Sequence, residues 1–338
     1  MRLLDFLKSI LICTLFSVCS TSLFSQITTT KVAPINDRIE TAVYDSMTNS
    51  VGKDIYQFVG QELYLNQFPE SFRSFGYMGF LVDYTKSQFD KGNVYKSSDG
   101  FNSAYGELAG KYFKVLEVIK REKQDNLFGA TYYFIKLEEK SSKDILYYEC
   151  TVKKNDPIEI DYLGDKGKGI PSFPFIVSGY FEKQKKINIG QLFVFSDKIL
   201  KSAMDIETGK PITVKLRENW KCIDLTVEDK HFILSFIFQN SVGEKILIPS
   251  TSVIGKWSMG RTYSLSAANN YTTSFGVEYF EKVLQGKVVV GMTEEMCLLA
   301  WGGPNSINET ITPGLKSEQW VYDSKYLYFD NGILSTIQ

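Results

Sequence analysis

Residues 132–148 read YYFIKLEEKSSKDILYY, and residues 234–249 read LSFIFQNSVGEKILIP. In the first stretch Tyr133, Ile135 and Leu137 alternate with other residues, a polar turn follows, and Ile145 begins a second apolar run. In the second, Leu234, Phe236 and Phe238 take the same places, with Ile246 beyond a turn of similar length. Apolar residues with a period of two on either side of a polar turn describe a β-hairpin with one buried face. Upstream of the first hairpin lie VGQELYL (59–65) and GKYFKVLEV (110–118). Upstream of the second, in the same order, lie IGQLFVF (189–195) and NWKCIDLTV (219–227). The chain is therefore predicted to carry a duplicated, mostly antiparallel β module, its first copy over 55–180 and its second over 181–263. Chance likeness between two amphipathic hairpins is the competing reading.

Downstream the pattern changes. SLSAANNYTTSFG (264–276) is small, polar and unpatterned, and reads as a linker. VEYFEKVLQG (277–286) is amphipathic with helical spacing. In VGMTEEMCLLAWGGP (290–304), Thr293 is placed to cap a helix, and Glu294 and Glu295 complement its positive end. Met296, Leu299 and Ala300 share one face, and Gly302 or Gly303, followed by Pro304, ends the helix. Three strand-like runs follow, QWVY (319–322), YLYF (326–329) and ILSTIQ (333–338), the last two joined by the tight-turn residues Asp330-Asn331-Gly332. The expected fold class is α+β and β-rich, a duplicated antiparallel module followed by a small two-layer α-α-β-β-β domain over 277–338.

In that domain the ordered set Gly291, Met292, Thr293; Trp301, Gly302, Pro304; Trp320, Tyr322; and Leu327, Phe329, Gly332, Leu334, Ile337 resembles the SmpA/OmlA (BamE-like) outer-membrane assembly lipoprotein family. The resemblance implies a periplasm-facing envelope protein whose small domain packs against other proteins or lipids rather than catalysing. It gives Gly291, Met292, Thr293, Gly302, Pro304, Phe329 and Gly332 a structural part. Two features depart from the family pattern. The domain stands behind a large β region, and the lipidated cysteine has no good counterpart, since Cys13 follows Ile12 and Cys19 follows Val18. Trp301, Trp320 and Tyr322 form a candidate aromatic recognition surface. The plainer reading has Trp301 closing the helix and Trp320 packing beneath it.

The first residues, MRLLDFLKSILICTLFSVCSTSLFSQ, combine a weakly basic start with a short apolar core, and are expected to be a signal peptide (1–25) cleaved after Ser25. A polar lead-in occupies 26–54, and no later run approaches membrane-spanning length. Export to the periplasm, to the outer-membrane surface of a Gram-negative-type envelope or to the medium is the expected localisation.

A net charge of -1 argues against nucleic acid as a partner. The single histidine, His231, lies at a strand edge in EDKHFILSF without a catalytic motif around it. Cys150, Cys222 and Cys297 lack metal-ligand spacing and read as buried thiols, with one disulfide as the alternative. Gly164–Gly169 lacks the Gly-Lys-Ser/Thr ending of a phosphate loop, and DIETGKP (205–211) reads as a turn. Lys183, Lys185 and Lys186 read as a solvated strand edge. The carboxylates Glu138 with Glu139 and Glu159 with Asp161 read as solvated faces. No cofactor is expected. The functional expectation is a non-enzymatic envelope protein that binds or scaffolds a protein partner. A glycan- or peptidoglycan-binding protein using the β region is the alternative, and a secreted hydrolase is third.

Overall fold

In a computed structural model the described residues are 44, 47, 49–51, 55–97, 99–121, 130–153, 158–159, 173–254 and 258–338. The expected signal peptide, most of the lead-in, Asp161 and the Gly164–Gly169 stretch lie outside them. The protein is α+β and β-rich; the described residues form three antiparallel sheets of six, five and four strands and a short pairing of Ser50–Val51 with Ile158–Glu159.

The first copy contributes β1 (Glu62–Leu65), β2 (Phe80–Leu81), β3 (Tyr112–Lys120), β4 (Ala130–Glu139), β5 (Ile145–Lys153) and β6 (Phe175–Val177), in the sheet order β2-β5-β4-β3-β1-β6. An eleven-residue helix, α1 (Ser178–Asn188), follows. The second copy contributes β7 (Leu192–Phe195), β8 (Trp220–Val227), β9 (Leu234–Gln239), β10 (Lys245–Pro249) and β11 (Thr262–Ser264), in the order β10-β9-β8-β7-β11. Another eleven-residue helix, α2 (Leu265–Phe275), follows that. In both copies the last strand returns beside the first and then launches a helix.

The equivalence reaches single residues. Gly60 donates its N–H to Val115 O at 2.8 Å, and Gly190 donates to Cys222 O at 2.8 Å. Both glycines have positive φ, +85° and +88°, a region in which a Cβ is strained. Each strand that receives this bond carries a bulge just beyond it, between Val115 and Glu117 and between Cys222 and Asp224. A bulge sharpens twist locally, so the two sheets bend at the same point.

The structure moves several sequence-derived boundaries. The expected break at 180/181 falls inside α1, and the second copy begins at IGQ (189–191), the counterpart of VGQ (59–61). The expected linker 264–276 is α2, the closing helix of the second copy, whose Ser264 hydroxyl accepts a bond from Ala267 N. Its small residues are helix-compatible, and Ala267, Ala268, Tyr271 and Phe275 pack along one side. Ile145 is not the counterpart of Ile246. Leu137 pairs with Leu146 and Phe238 with Ile246, because the first turn is one residue longer. A slip of one residue reverses the face, and Ile145 is 42% exposed whereas Leu146 and Ile246 are fully buried. The lysines 183, 185 and 186 lie on α1, not on a strand edge, and Lys185 pairs with Asp224 at 3.0 Å.

One apolar core runs through both copies, from Val51 to Val253. Within β7, Phe193 and Phe195 join that core, while the alternate residue Val194 faces a second one. That second core belongs to the final domain, α3 (Val277–Leu284), α4 (Glu294–Trp301), β12 (Ser306–Thr312), β13 (Leu315–Val321), β14 (Tyr326–Asp330) and β15 (Ile333–Ile337). The sheet has four strands in chain order rather than three. The additional strand, β12, is exposed at every position and so lacks the alternation of a half-buried strand. Thr293 caps α4 by accepting from Met296 N, Gly302 follows the helix at φ +88°, and Asn331 and Gly332 turn β14 into β15 at positive φ. Among the described residues no helix is long and apolar enough to cross a membrane.

Candidate functional site

Of the three candidate aromatics, the structure brings two together and removes the third. Trp301 is the last residue of α4, and Tyr322 follows β13. Their rings meet edge to face, 5.4 Å apart at 88°. The Trp301 indole N–H donates to Gly286 O at 3.1 Å, and the Tyr322 hydroxyl donates to Gly302 O at 2.9 Å. Each ring is thus tied to the backbone of a turn and remains only partly covered. Burial, helped by Cys297, pushes the Tyr322 hydroxyl up to about 12, so it stays a hydrogen-bond donor near neutral pH.

Trp320 instead points into the core and is 3% exposed. It lies 4.6 Å from the Phe329 ring, and its indole N–H donates to Glu318 at 2.9 Å. Lys316 and that indole hold the Glu318 carboxyl down, while burial and the neighbouring Glu318 push the Glu294 carboxyl up. This buried arrangement fixes the sheet under α4.

Trp301 and Tyr322 form one wall of a groove of about 510 Å³. The opposite wall comes from the second β copy, at the helical turn Asp197–Leu200. Lys325 sits over the Trp301 ring at 4.8 Å, Lys201 pairs with Asp197 at 2.8 Å, and Asp323 accepts from Asn305 at 2.7 Å. The groove therefore offers two rigid aromatic edges among charges of both signs. Lys325, Lys201 and the Asp197 turn carry no sequence signal for this role, because they converge only through the docking of the final domain on the second copy.

The family-like residues have structural places. Gly291 N donates to Leu334 O and Met292 O accepts from Leu334 N, so this segment covers the start of the outer edge of β15, next to the Thr293–Ile333 bridge. A Cβ on Gly291 would stand 2.7 Å from the Tyr279 hydroxyl. Met292 and Phe329 are buried, Gly332 completes the tight turn, and Pro304 follows the end of α4.

A second concavity of about 600 Å³ is lined by residues of both β copies. Tyr64 and Tyr112 line it with rings 5.1 Å apart, Lys140 lies over Tyr112 at 5.7 Å and pairs with Glu62, and Ser178 donates to Glu62 at 3.3 Å.

The other candidate groups are separate from both. Glu139 is not a solvated face. It is buried in its hairpin turn and accepts from the N–H groups of Ser141 and Ser142 at 2.9 and 2.8 Å. Glu138 pairs with Lys143. His231 is exposed and bonds Glu228 at 3.1 Å. Cys150, Cys222 and Cys297 are free, buried thiols on β5, β8 and α4, with burial pushing them up to about 12, 11 and 12. Asp205 holds the predicted 205–211 turn through Glu207 N and Thr208 N. Among the described residues no group of three His, Cys, Asp or Glu side chains could hold a metal ion. Neither family models, nor curated proteins, nor solved structures yield a match to this chain.

Proposed function

We propose that this chain is an exported, non-enzymatic cell-envelope protein that binds or scaffolds a protein partner through the Trp301–Tyr322 groove. The observation that carries this reading is the fixing of two partly exposed aromatic rings by backbone hydrogen bonds inside a groove rimmed by lysines and aspartates. Pre-organised aromatics lose little freedom on binding, and aromatic anchors surrounded by polar residues are the usual centres of interface energy. The leader-like N-terminus and the family-like order of residues in 277–338 support the envelope assignment. The test is affinity capture of the full chain from crosslinked envelopes, alongside Trp301→Ala and Lys325→Glu. Each substitution is expected to reduce recovery of the bound protein about tenfold or more, with the circular dichroism spectrum unchanged. Equal recovery by all three proteins, or an unprocessed product confined to the cytosol, would refute the proposal.

The Tyr64–Tyr112 concavity favours a second reading, glycan binding. Aromatic faces suit sugar rings, and the Glu62–Lys140 pair could hold their hydroxyls. Retention on purified peptidoglycan or polysaccharide that is lost in Tyr112→Ala would establish it. Passage through every such matrix would dismiss it.

A further inference from the structure

The two edges of the final sheet are treated differently. The start of the outer edge of β15, at Ile333 and Leu334, is occupied by the Gly291–Thr293 segment. Among the described residues the outer edge of β12 has no neighbouring strand. Which of its backbone groups are free follows from the ladder. Tyr322 N bonds Lys325 O and Asn331 N bonds Lys316 O, so the even-numbered residues of β13 direct their backbone groups toward β14. Successive residues of an antiparallel strand point these groups to opposite edges. Ser317 and Gln319 therefore serve β12, where they meet Thr310 and Asn308. Ile307, Glu309 and Ile311 are left with N–H and C=O groups directed outward.

The side chains of these three residues share the face of Trp320, Glu318 and Lys316, the face that carries the helices. The helices do not cover them, since Ile307 is 50% and Ile311 is 70% exposed. Read from either end, β12 is a chemical palindrome, Ser-Ile-Asn-Glu-Thr-Ile-Thr.

We propose that β12 is a self-association site, pairing antiparallel with β12 of a second copy of this chain about a two-fold axis through Glu309. In this register Ile307 faces Ile311 of the partner and Ile311 faces Ile307, so both exposed apolar side chains find one another. All three residues with outward backbone groups oppose residues of the same kind, and each pair can exchange both hydrogen bonds. Moving the centre to Thr310 would oppose Glu309 with Ile311 and bring Ile307 against Pro313, which has no N–H to give. The two Glu309 carboxylates meet at the axis, and each already holds a Lys316 ammonium at 3.1 Å. Pairing about a two-fold axis uses the β12 edge of both copies at once and so closes on itself, a dimer rather than a fibre.

Sedimentation equilibrium of the full chain over a range of concentrations tests this. A monomer–dimer equilibrium is expected, with Ile307→Lys/Ile311→Lys weakening it about tenfold or more. Register is tested by cysteine placement. Opposed residues of a hydrogen-bonded pair lie about 5.5 Å apart, within disulfide reach, so mild oxidation is expected to crosslink Glu309→Cys well above the parent chain but not Asn308→Cys. A chain that stays monomeric throughout, a dimer indifferent to the double substitution, or crosslinking that does not favour position 309 would each overturn the proposal. Because Glu309→Cys sits on an exposed strand, it keeps the test decisive even if the double variant folds poorly.

Discussion

Phe113 in the first β copy and Trp220 in the second occupy one position, paired with Leu63 and Phe193 respectively, and both are fully buried. The hairpin turns that follow differ more. In the first copy Glu139 accepts from Ser141 N and Ser142 N and lies near Lys111. In the second, neutral Asn240 accepts from Val242 N at 3.2 Å and Glu244 N at 2.9 Å, and donates to the Glu244 carboxylate. The connection between the first two strands differs as well. Residues 66–111 add β2 to the far edge of the sheet, whereas residues 196–219 reach the corresponding edge with a bond from Ile206 N to Lys245 O and one from Lys245 N to Asp205. Topology survives these changes because it rests on the bulge, the positive-φ glycine and the apolar alternation, which both copies share. The turns and edges solve local hydrogen-bonding problems, and more than one side chain can do that.

The largest effect should come from the shared core position. Phe113→Ala and Trp220→Ala are each expected to cost about 3–5 kcal/mol in urea unfolding, because each empties a buried aromatic site. Trp220→Phe should cost far less, since the first copy already holds Phe there. A negligible loss at one position alone would break the equivalence.

The next effect separates the copies by pH. Burial alone would raise the Glu139 carboxyl, but the Ser142 and Ser141 hydrogen bonds, with Lys111, hold it down at about 2. A carboxyl depressed on folding stabilises the protein above its unfolded value of 4.5 and loses that contribution as pH falls toward 2. The loss is on the order of 3 kcal/mol. Hydrogen exchange should therefore show the 139–146 hairpin opening across that window while the Asn240-held turn at 240–244 stays closed, and Glu139→Gln should remove the difference. In the second copy the acid-sensitive group is Asp205, held at about 2 first by the Lys245 N–H, so its strand edge rather than its turn should loosen. Smallest is the backbone effect. Gly60→Ala and Gly190→Ala should each cost about 1 kcal/mol, and matching shifts in melting temperature would sharpen the comparison to a single hydrogen bond.

Much of the duplication could be read from residues alone, because VGQ and IGQ and the period-two runs are direct imprints of a half-buried sheet. The readings that failed did so for physical reasons. A turn one residue longer displaced Ile145 from the core, and no composition rule reveals turn length. Helix α2 was hidden because its Asn, Thr and Ser residues dilute the stripe of Ala267, Ala268, Tyr271 and Phe275. Strand β12 was missed because neither face is covered. The helix from Thr293 to Trp301 was legible because its ends are set by local chemistry. The groove beside Trp301 was legible only in its aromatic half, since Lys201 and Asp197 arrive from a segment about a hundred residues earlier in the chain.

Helix α1 packs on the first copy and leads directly into the second, and α2 packs on the second copy in the same way before leading into α3. The final domain thus stands where another repeat would start, laying α3 and α4 against Val194 and Tyr263. It covers the side of the second copy that Val194 and Tyr263 present. A chain cut after Gly276 would lay bare the apolar side chains of Val194, Tyr263 and Ala268 that α3 and α4 now cover.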